Sequence, residues 1–294
     1  MKLTTVPVKT LVSKSKIPGA GYVINPYVGC PHKCLYCYAE FMSKFTAHAE
    51  PWGEFLDVKL CDRPLHPSQL FHQHVMLSSV TDAYNPFEKK YEVTRRILQQ
   101  LVACQAYVSI LTKSALVARD IDLFKQLPEC EVAFSFSTAN DTVRQLIEPG
   151  ASSIQERLEA LQTVHQAGLP TAVMAAPLLP GISDFKAIVR AATPYTHTFR
   201  FDSLNMRPSF QYKLMDFIDV HYPHLLPLYN EIYLQGKRTY WNELEQEIVS
   251  FCQKQGVEAH VFFGKESSFT FRISAQNPGS NNPGSVPPTE PQLF

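Results

Sequence analysis

The 294-residue sequence lacks a long apolar run, an excess of either charge and a regular cysteine framework. No segment approaches the roughly 20 apolar residues of a membrane span, so we expect no membrane partner. Lysine plus arginine number 27, as do aspartate plus glutamate, and this balance gives no global attraction to nucleic acid or anionic lipid. The seven cysteines are odd in number and follow no signal peptide, which argues against a secreted disulfide scaffold and favours a cytoplasmic protein.

The end of the chain is nearly devoid of apolar side chains. Residues 276–294 are rich in proline, glycine, asparagine and serine, and the tetrapeptide Asn-Pro-Gly-Ser occurs at 277–280 and again at 282–285. Such a segment buries too little apolar surface to offset the conformational entropy that is lost on ordering. The composition therefore predicts a tail over residues 276–294 that is disordered, or held only by Leu293 and Phe294.

Three of the cysteines, Cys30, Cys34 and Cys37, share one short loop with the spacing C-x3-C-x2-C. Thiolates are the usual ligands of iron–sulfur clusters and of structural zinc. A [4Fe–4S] cluster on three cysteines leaves one iron open for a small molecule. Structural zinc with His32 as fourth ligand is the alternative, although His32 is only two residues from Cys30 and Cys34 and no second C-x2-C half follows. The remaining cysteines are scattered, so no second cluster is expected.

Short apolar runs alternate with longer helical patterns through the middle of the chain. Six predicted strands begin at Tyr22, His74, Ala106, Glu131, Thr171 and Thr196. Predicted helices cover about 87–103, 154–167 and 185–192, and a shorter one begins at Arg119. Ser153 and Glu156 form a capping box before the second of these helices, and Gly168 ends it. Strands that alternate with helices in this way indicate βαβ units and an α/β fold with a parallel sheet.

The cysteine loop resembles the cluster motif of the radical S-adenosylmethionine (SAM) superfamily, including the aromatic Tyr36 before the last cysteine. Other segments resemble the spore photoproduct lyase-like branch. They are TDAYNPFEKKYEVTRRIL from Thr81, Thr-Lys-Ser from Thr112 with Arg-Asp from Arg119, Glu148-Pro149 followed by Arg157, and Pro-Leu-Leu-Pro-Gly from Pro177. The cysteine spacing is highly specific, the other segments support it, and the resemblance covers roughly residues 18–210.

The resemblance implies a fold and a domain arrangement. It implies a partial (β/α)6 barrel of the TIM type, with parallel strands, over residues 18–210. A lead-in of residues 1–17 would precede the barrel. A C-terminal α/β extension over residues 211–275 would close its open side, and the tail of residues 276–294 would follow.

The resemblance also implies an enzyme with two cofactors, a [4Fe–4S] cluster and SAM. Cys30, Cys34 and Cys37 would bind the cluster, and the open iron would chelate the amino and carboxylate groups of SAM. Reductive cleavage of SAM to methionine and a 5′-deoxyadenosyl radical would start radical chemistry on an unidentified substrate, with an electron donor such as flavodoxin or ferredoxin as partner.

Two alternatives remain at this point. One is DNA repair of the photoproduct lyase type. A basic tract is missing, however, and so is the hydrogen-donating cysteine that the lyases carry just before the residues matching Thr81 and Asp82. Nucleic acid is therefore not the expected partner. The other alternative is a non-catalytic iron–sulfur or zinc protein.

Polar residues at the ends of the predicted strands are the SAM-binding candidates that the resemblance implies, because parallel barrels place their chemistry there. The candidates are Tyr36, Ser79, Thr81, Asp82, Lys113, Ser135, Ser137, Arg157 and Pro177. Several also have ordinary structural roles, such as a helix cap for Thr81 or Asp82 and a surface ion pair for Arg157. Strand alternation puts Ser135 and Ser137 on the interior face of the fourth strand. Candidates for substrate contacts on the sixth strand are Arg200, Asp202 and Asn205.

Overall fold

The computed structural model describes residues 1–264, so the predicted tail and the end of the predicted extension lie outside the described residues. The strands of this part are β1 Lys2–Pro7, β2 Val12–Lys14, β3 Tyr22–Ile24, β4 Tyr27–Val28, β5 Phe55–Leu60, β6 His74–Leu77, β7 Tyr107–Thr112, β8 Glu129–Ser135, β9 Thr171–Leu178, β10 Thr198–Ser203 and β11 Glu258–Val261.

The helices surround these strands in chain order. The α-helices are α1 Pro67–Leu70, α2 Glu88–Tyr91, α3 Val93–Ala103, α4 Ile121–Phe124, α5 Asp141–Ile147, α6 Ile154–Gln166, α7 Phe185–Ala192, α8 Gln211–His221, α9 Leu226–Tyr233 and α10 Thr239–Gln255. Short 3-10 helices cover Tyr38–Phe45, Ala115–Asp120, Thr193–Tyr195 and Pro223–Leu225. No helix within residues 1–264 is both long and apolar enough to cross a bilayer.

An eight-stranded sheet forms the centre of the fold, in the order β11-β10-β9-β8-β7-β6-β3-β2. The six predicted strands are its inner members, β3 and β6 to β10, and they run parallel to one another. The antiparallel β2 borders β3 at one edge, and the parallel β11 borders β10 at the other. The predicted parallel α/β architecture is therefore confirmed, with a short strand added at each edge.

A second, smaller sheet joins the start of the chain to two strands that flank the cysteine loop in sequence. Its order is β1-β5-β4, with β1 parallel and β4 antiparallel to β5. The first 17 residues, predicted as a lead-in, thus contain two strands. Because β1 is almost wholly exposed, its sequence carries no alternating apolar signal, and its partner β5 is some 50 residues away.

The predicted helix over 87–103 is divided at Glu92, whose φ of +48° is left-handed. The division has a local cause. The carboxylate of Glu88 accepts the backbone N–H groups of Thr94 at 2.9 Å and Arg95 at 3.2 Å, and so caps α3. The capping box of Ser153 and Glu156 at the start of α6 is present as predicted.

The fourth inner strand, β8, confirms the predicted alternation of its side chains. Phe134 and Phe136 lie in the main apolar core with Ile154 of α6 and Ile188 of α7. The hydroxyls of Ser135 and Ser137 instead make polar contacts with the neighbouring strand ends. One face of the strand therefore packs against the helices in the apolar core, and the other face carries the polar side chains.

The helices after β10 pack over the carboxyl ends of the strands. Leu214 and Ile218 of α8 and Tyr229 of α9 share a buried apolar cluster with Leu179, which follows β9, and with Tyr36 of the cysteine loop. The part of the predicted extension that is described thus contacts the strand ends and the loop. Closure of the barrel by this extension stays a prediction.

The segment between α5 and α6 holds the cysteine loop in place. The amide of Leu35 donates to the carbonyl of Ile147 at 2.9 Å, and the amide of Gly150 donates to the carbonyl of His32 at 3.0 Å. A Cβ on Gly150 would lie 2.0 Å from the carbonyl oxygen of Pro31. The loop and the segment therefore approach each other as closely as glycine allows.

Gly150→Ala should lower stability, because the added methyl group must displace the backbone at Pro31. Overpacking of this kind costs about 1–3 kcal/mol. Gly21→Ala is the matched control, since a Cβ there meets its nearest atoms at 3.7 Å. Thermal unfolding of the two variants measures the difference, and equal melting temperatures would show that the close contact at Gly150 does not constrain the loop.

Candidate functional site

The cysteine loop lies over the carboxyl ends of the central strands. The hydroxyl of Thr81, which follows β6, donates to the carbonyl of Gly29 at 2.6 Å. The hydroxyl of Tyr36 lies 2.6 Å from Oγ of Ser137, which follows β8. Strand ends on both sides of β7 therefore hold the loop at the edge where a parallel barrel places its chemistry.

The three thiols of the loop are close enough to influence one another. Burial raises the pKa of Cys30 to about 12, and the neighbouring Cys37 contributes in the same direction. Burial also raises the pKa of Cys34 well above its ordinary value and raises that of Cys37. All seven cysteines of the chain are free thiols. Buried thiols become thiolates when a bound metal supplies the opposing charge, so this donor set suits a thiophilic centre.

A single metal ion fits the loop poorly. Within residues 1–264, no group of three or more His, Cys, Asp or Glu side chains converges as one ion would require. In an iron–sulfur cluster each cysteine binds a different iron, so the ligands need not meet at one point. His32, the fourth ligand in the zinc alternative, is buried with its Nδ1 3.4 Å from Oδ2 of Asp82. The three cysteines thus suit a cluster, and His32 is engaged with Asp82.

A buried carboxylate, Glu148, sits directly behind the loop. The hydroxyl of Tyr36 donates to its Oε1, and the guanidinium of Arg157 donates to its Oε2 at 2.5 Å. Burial alone would raise the pKa of Glu148, but the charges of Arg157 and Lys113 and the hydrogen bond from Tyr36 hold it below its ordinary value. Glu148 is therefore a charged group inside the protein. The sequence pointed to it only through the Glu-Pro dipeptide, and it was not among the predicted site residues.

Arg157 is fully buried and donates to protein acceptors from all three nitrogens. Beyond Glu148, its Nη1 donates to the carbonyl of Ser135 and its Nε to that of Ser152, both at 2.8 Å. The sequence suggested either a SAM contact or a surface ion pair for this residue. The structure shows a buried ion pair that joins α6 to the end of α5, and a hydrogen bond that joins α6 to β8. A SAM contact stays a prediction.

Asp82 links the ends of β6 and β7. Its carboxylate accepts the amide of Tyr84 at 2.8 Å, the hydroxyl of Thr112 at 2.8 Å and the amide of Lys113 at 2.9 Å. These three bonds give Asp82 a structural role in the turn after β6, and its predicted contact with the SAM amino group remains untested. Thr81 also has a structural role, because its hydroxyl donates to the carbonyl of Gly29 in the loop, and its predicted SAM contact stays a prediction.

Lys113, Ser135 and Ser137 are brought together as predicted from the strand ends. Nζ of Lys113 donates to Oγ of Ser135 at 2.9 Å and lies 5.7 Å from the centre of the Tyr36 ring. Both serine hydroxyls donate to the carbonyl of Ala176, at 3.3 and 3.1 Å. These side chains form one polar group beside the thiols, which we call the lysine–serine group.

Two other predicted SAM residues, Pro177 and Ser79, make different contacts. Pro177 directly follows Ala176, to which it is joined by a cis peptide bond. The amide of Ser79 donates to Oδ1 of Asn25 at 2.9 Å, and its carbonyl accepts the hydroxyl of Tyr38. Pro177 therefore adjoins the carbonyl that both serines contact, whereas Ser79 contacts residues that flank the cysteine loop in sequence.

The sixth inner strand separates its three candidate residues. Arg200 is buried and forms a double hydrogen bond with Glu131 of β8, at 2.7 and 2.8 Å. Asn205 is exposed after the strand. Asp202 is half-buried, burial raises its pKa to about 6, and it forms no ion pair within residues 1–264. Of the three, Asp202 is the one left with an unpaired charge.

Comparison with known proteins settles the family. The sequence model of the radical SAM superfamily matches residues 24–191. The chain belongs to that superfamily. An uncharacterized protein of Methanocaldococcus jannaschii is 35% identical over 223 residues, which cover 76% of this chain and 85% of that protein. An uncharacterized protein of Mycobacterium tuberculosis is 28% identical over 248 residues, covering 76% and 71% of the two chains.

The fold has a similar solved structure. Spore photoproduct lyase complexed with dinucleoside spore photoproduct superposes with a TM-score of 0.61 at 17% identity, covering 89% of this chain and 82% of the lyase. At that identity the likeness concerns the fold. The predicted partial barrel and the membership of the radical SAM superfamily are confirmed, and enzymes of this superfamily bind a [4Fe–4S] cluster and SAM. The predicted likeness to the photoproduct lyase branch is confirmed for the fold.

Arg157→Met should destabilise the protein by about 3–5 kcal/mol at neutral pH, because it leaves the Glu148 carboxylate buried without its main partner. The parent pKa of Glu148 is lowered, so its contribution is present above the unfolded pKa and is lost as pH falls through the folded pKa. The deficit of the variant should therefore shrink towards acidic pH as Glu148 takes up a proton.

Urea unfolding at pH 7 and pH 5 measures this, with the exposed Arg63→Met as control. The control should change stability by less than about 0.5 kcal/mol. A deficit for Arg157→Met that is equally large at both pH values would contradict the assignment to Glu148.

Proposed function

We propose that this radical SAM enzyme holds a [4Fe–4S] cluster on Cys30, Cys34 and Cys37 and cleaves SAM reductively to start radical chemistry on a separate substrate. When bound, the cluster supplies the electron that cleaves SAM to methionine and a 5′-deoxyadenosyl radical. The observation that carries the proposal is the position of the thiols, on a loop braced against the ends of β6 and β8. Parallel barrels place their chemistry at these ends.

Lys113 is our candidate for the SAM carboxylate. It is a cation at the end of β7, and the hydrogen bond of its ammonium goes to the neutral hydroxyl of Ser135. A carboxylate beside it would gain a charge-assisted hydrogen bond. Arg157, the other basic candidate, already donates to Glu148 and to two carbonyls. Lys113 is therefore better placed to bind the SAM carboxylate.

In this proposal Arg157 and Glu148 do not contact SAM but position Ser135 and Tyr36. Arg157 fixes the carbonyl of Ser135 and the carboxylate of Glu148, and Glu148 in turn fixes the hydroxyl of Tyr36. Each link is buried, so the orientation of Tyr36 next to the thiols is set before any ligand binds. The hydroxyls of Ser135 and Ser137 then face the same space as Lys113.

The substrate side of the site lies towards β10. Asp202 is the half-buried carboxylate there, and the apolar cluster of α8 and α9 packs over the neighbouring strand ends. We infer that this extension excludes water from the barrel mouth and that Asp202 contacts the substrate. The partners are then the unidentified substrate and a one-electron donor of the flavodoxin or ferredoxin type, in a reducing compartment such as the cytoplasm, as seven free thiols suggest.

Cys34→Ala should lose the cluster and the cleavage of SAM after anaerobic reconstitution, because two thiolates hold a [4Fe–4S] cluster weakly. Cys61→Ala is the control, since Cys61 lies outside the loop and should leave iron content unchanged. Iron and sulfide analysis measures the cluster, and 5′-deoxyadenosine formed with dithionite measures cleavage. Full iron in Cys34→Ala would overturn the cluster assignment, and a full cluster without 5′-deoxyadenosine in the parent would favour a non-catalytic role.

Lys113→Met should weaken SAM binding while the cluster is retained. A hydrogen bond to a charged group contributes about 1.5–3 kcal/mol, which corresponds to a roughly 10- to 100-fold higher Kd. Lys125→Met is the control, because Lys125 is an exposed lysine just after α4. Anaerobic calorimetric titration of reconstituted protein with SAM measures both, and an unchanged Kd for Lys113→Met would remove Lys113 from the SAM site.

A further inference from the structure

The indole of Trp52 contacts one of the three loop cysteines. Its Nε1–H donates to Sγ of Cys37 at 3.2 Å. Trp52 belongs to the turn before β5, fifteen residues beyond Cys37, and had no place among the predicted site residues. Within residues 1–264, the other two loop sulfurs accept no hydrogen bond from a side chain. The indole N–H is a donor only, so its orientation towards the sulfur is unambiguous.

The surrounding turn fixes that orientation. The amide of Glu54 donates to the carbonyl of Pro51 at 2.9 Å, and Glu54 is ion-paired with Lys33 of the cysteine loop. The Trp52 ring packs edge-on against Phe55, with centroids 5.7 Å apart and an interplanar angle of 87°. Phe55 is fully buried at the start of β5. The three-stranded sheet β1-β5-β4 thus fixes Phe55, and Phe55 holds the indole against the sulfur.

A hydrogen bond to a cluster sulfur acts on the reduction potential. Reduction adds one electron to the cluster and its thiolates, forms and breaks no bond, and makes the site one unit more negative. A donor aimed at a sulfur therefore stabilises the reduced form more than the oxidised form. Groups that contact metal ligands without touching the metal tune such centres in this manner.

We propose that Trp52 is a positioning residue that raises the reduction potential of the cluster through its hydrogen bond to Cys37. This inference rests on the proposed function, because it requires that Cys37 binds a [4Fe–4S] cluster. Cys37 directly precedes the 3-10 helix of Tyr38–Phe45, in which Tyr38 is 57% and Phe45 75% exposed, so this ligand adjoins a solvent-facing segment in sequence. Trp52 would thereby set how easily an external donor reduces the cluster.

The test is an EPR-monitored redox titration of reconstituted protein, with dithionite as reductant. Trp52→Phe keeps an aromatic ring against Phe55 and removes the N–H. We expect a more negative potential, with a ratio of reduced to oxidised cluster up to about tenfold lower at a fixed ambient potential, which for a one-electron couple is about 59 mV. Trp241→Phe is the matched control, because Trp241 is buried in the core against Phe263 and should leave the potential unchanged.

A second replacement keeps the shape of the indole. Benzothienylalanine at position 52 substitutes sulfur for the N–H and should shift the potential in the same direction, even if Trp52→Phe loses the cluster. An unchanged potential with a full cluster would overturn the role of Trp52 and leave the proposed function standing. A parent protein that takes up no cluster would overturn both.

Discussion

The arrangement of the site depends on one buried carboxylate. Glu148 is fully buried, accepts hydrogen bonds from Tyr36 of the cysteine loop and Arg157 of α6, and follows α5 directly. Its neighbours Ile147 and Gly150 bond the backbone of the same loop. A buried charge is stable only while its partners stay in place, so the loop, α6 and β8 have one favourable relative position. The loop is thereby fixed before any cofactor binds.

The parts of the fold that the sequence predicted are those whose signal is local. The six inner strands and the helices α6 and α7 carry their own periodicity and caps, and the capping box of Ser153 and Glu156 needs only four residues. The small sheet has no such signal, because the exposed β1 pairs with a strand some 50 residues away. The break at Glu92 is local but was missed, because the carboxylate of Glu88 accepts the amides of Thr94 and Arg95, and apolar periodicity does not reveal such a contact.

The residues of the site likewise divide into those that a local pattern predicts and those whose role depends on the folded chain. The cysteine spacing and the alternation in β8 are local, so Cys30, Cys34 and Cys37 and the paired serines could be named from the sequence. The role of Arg157 depends on Glu148 and Ser135, and that of Cys37 on Trp52, which are contacts that only the folded chain creates. A residue type and its spacing predict which chemistry is available, whereas the partner decides whether a given arginine binds a ligand or holds a carboxylate.

The cysteine loop therefore has two unlike sides. Towards the barrel, the charges of Lys113 and Glu148 act on Cys34, and Glu148 is paired with Arg157. Towards the small sheet, Cys37 meets the neutral indole of Trp52 and adjoins an exposed helix. On the proposed function, SAM needs the first environment, because its carboxylate requires a cation in a dry pocket. The electron donor is assigned to the second, because the apolar cluster of α8 and α9 packs over the strand ends. Binding of SAM and reduction of the cluster are thus assigned to different parts of one loop.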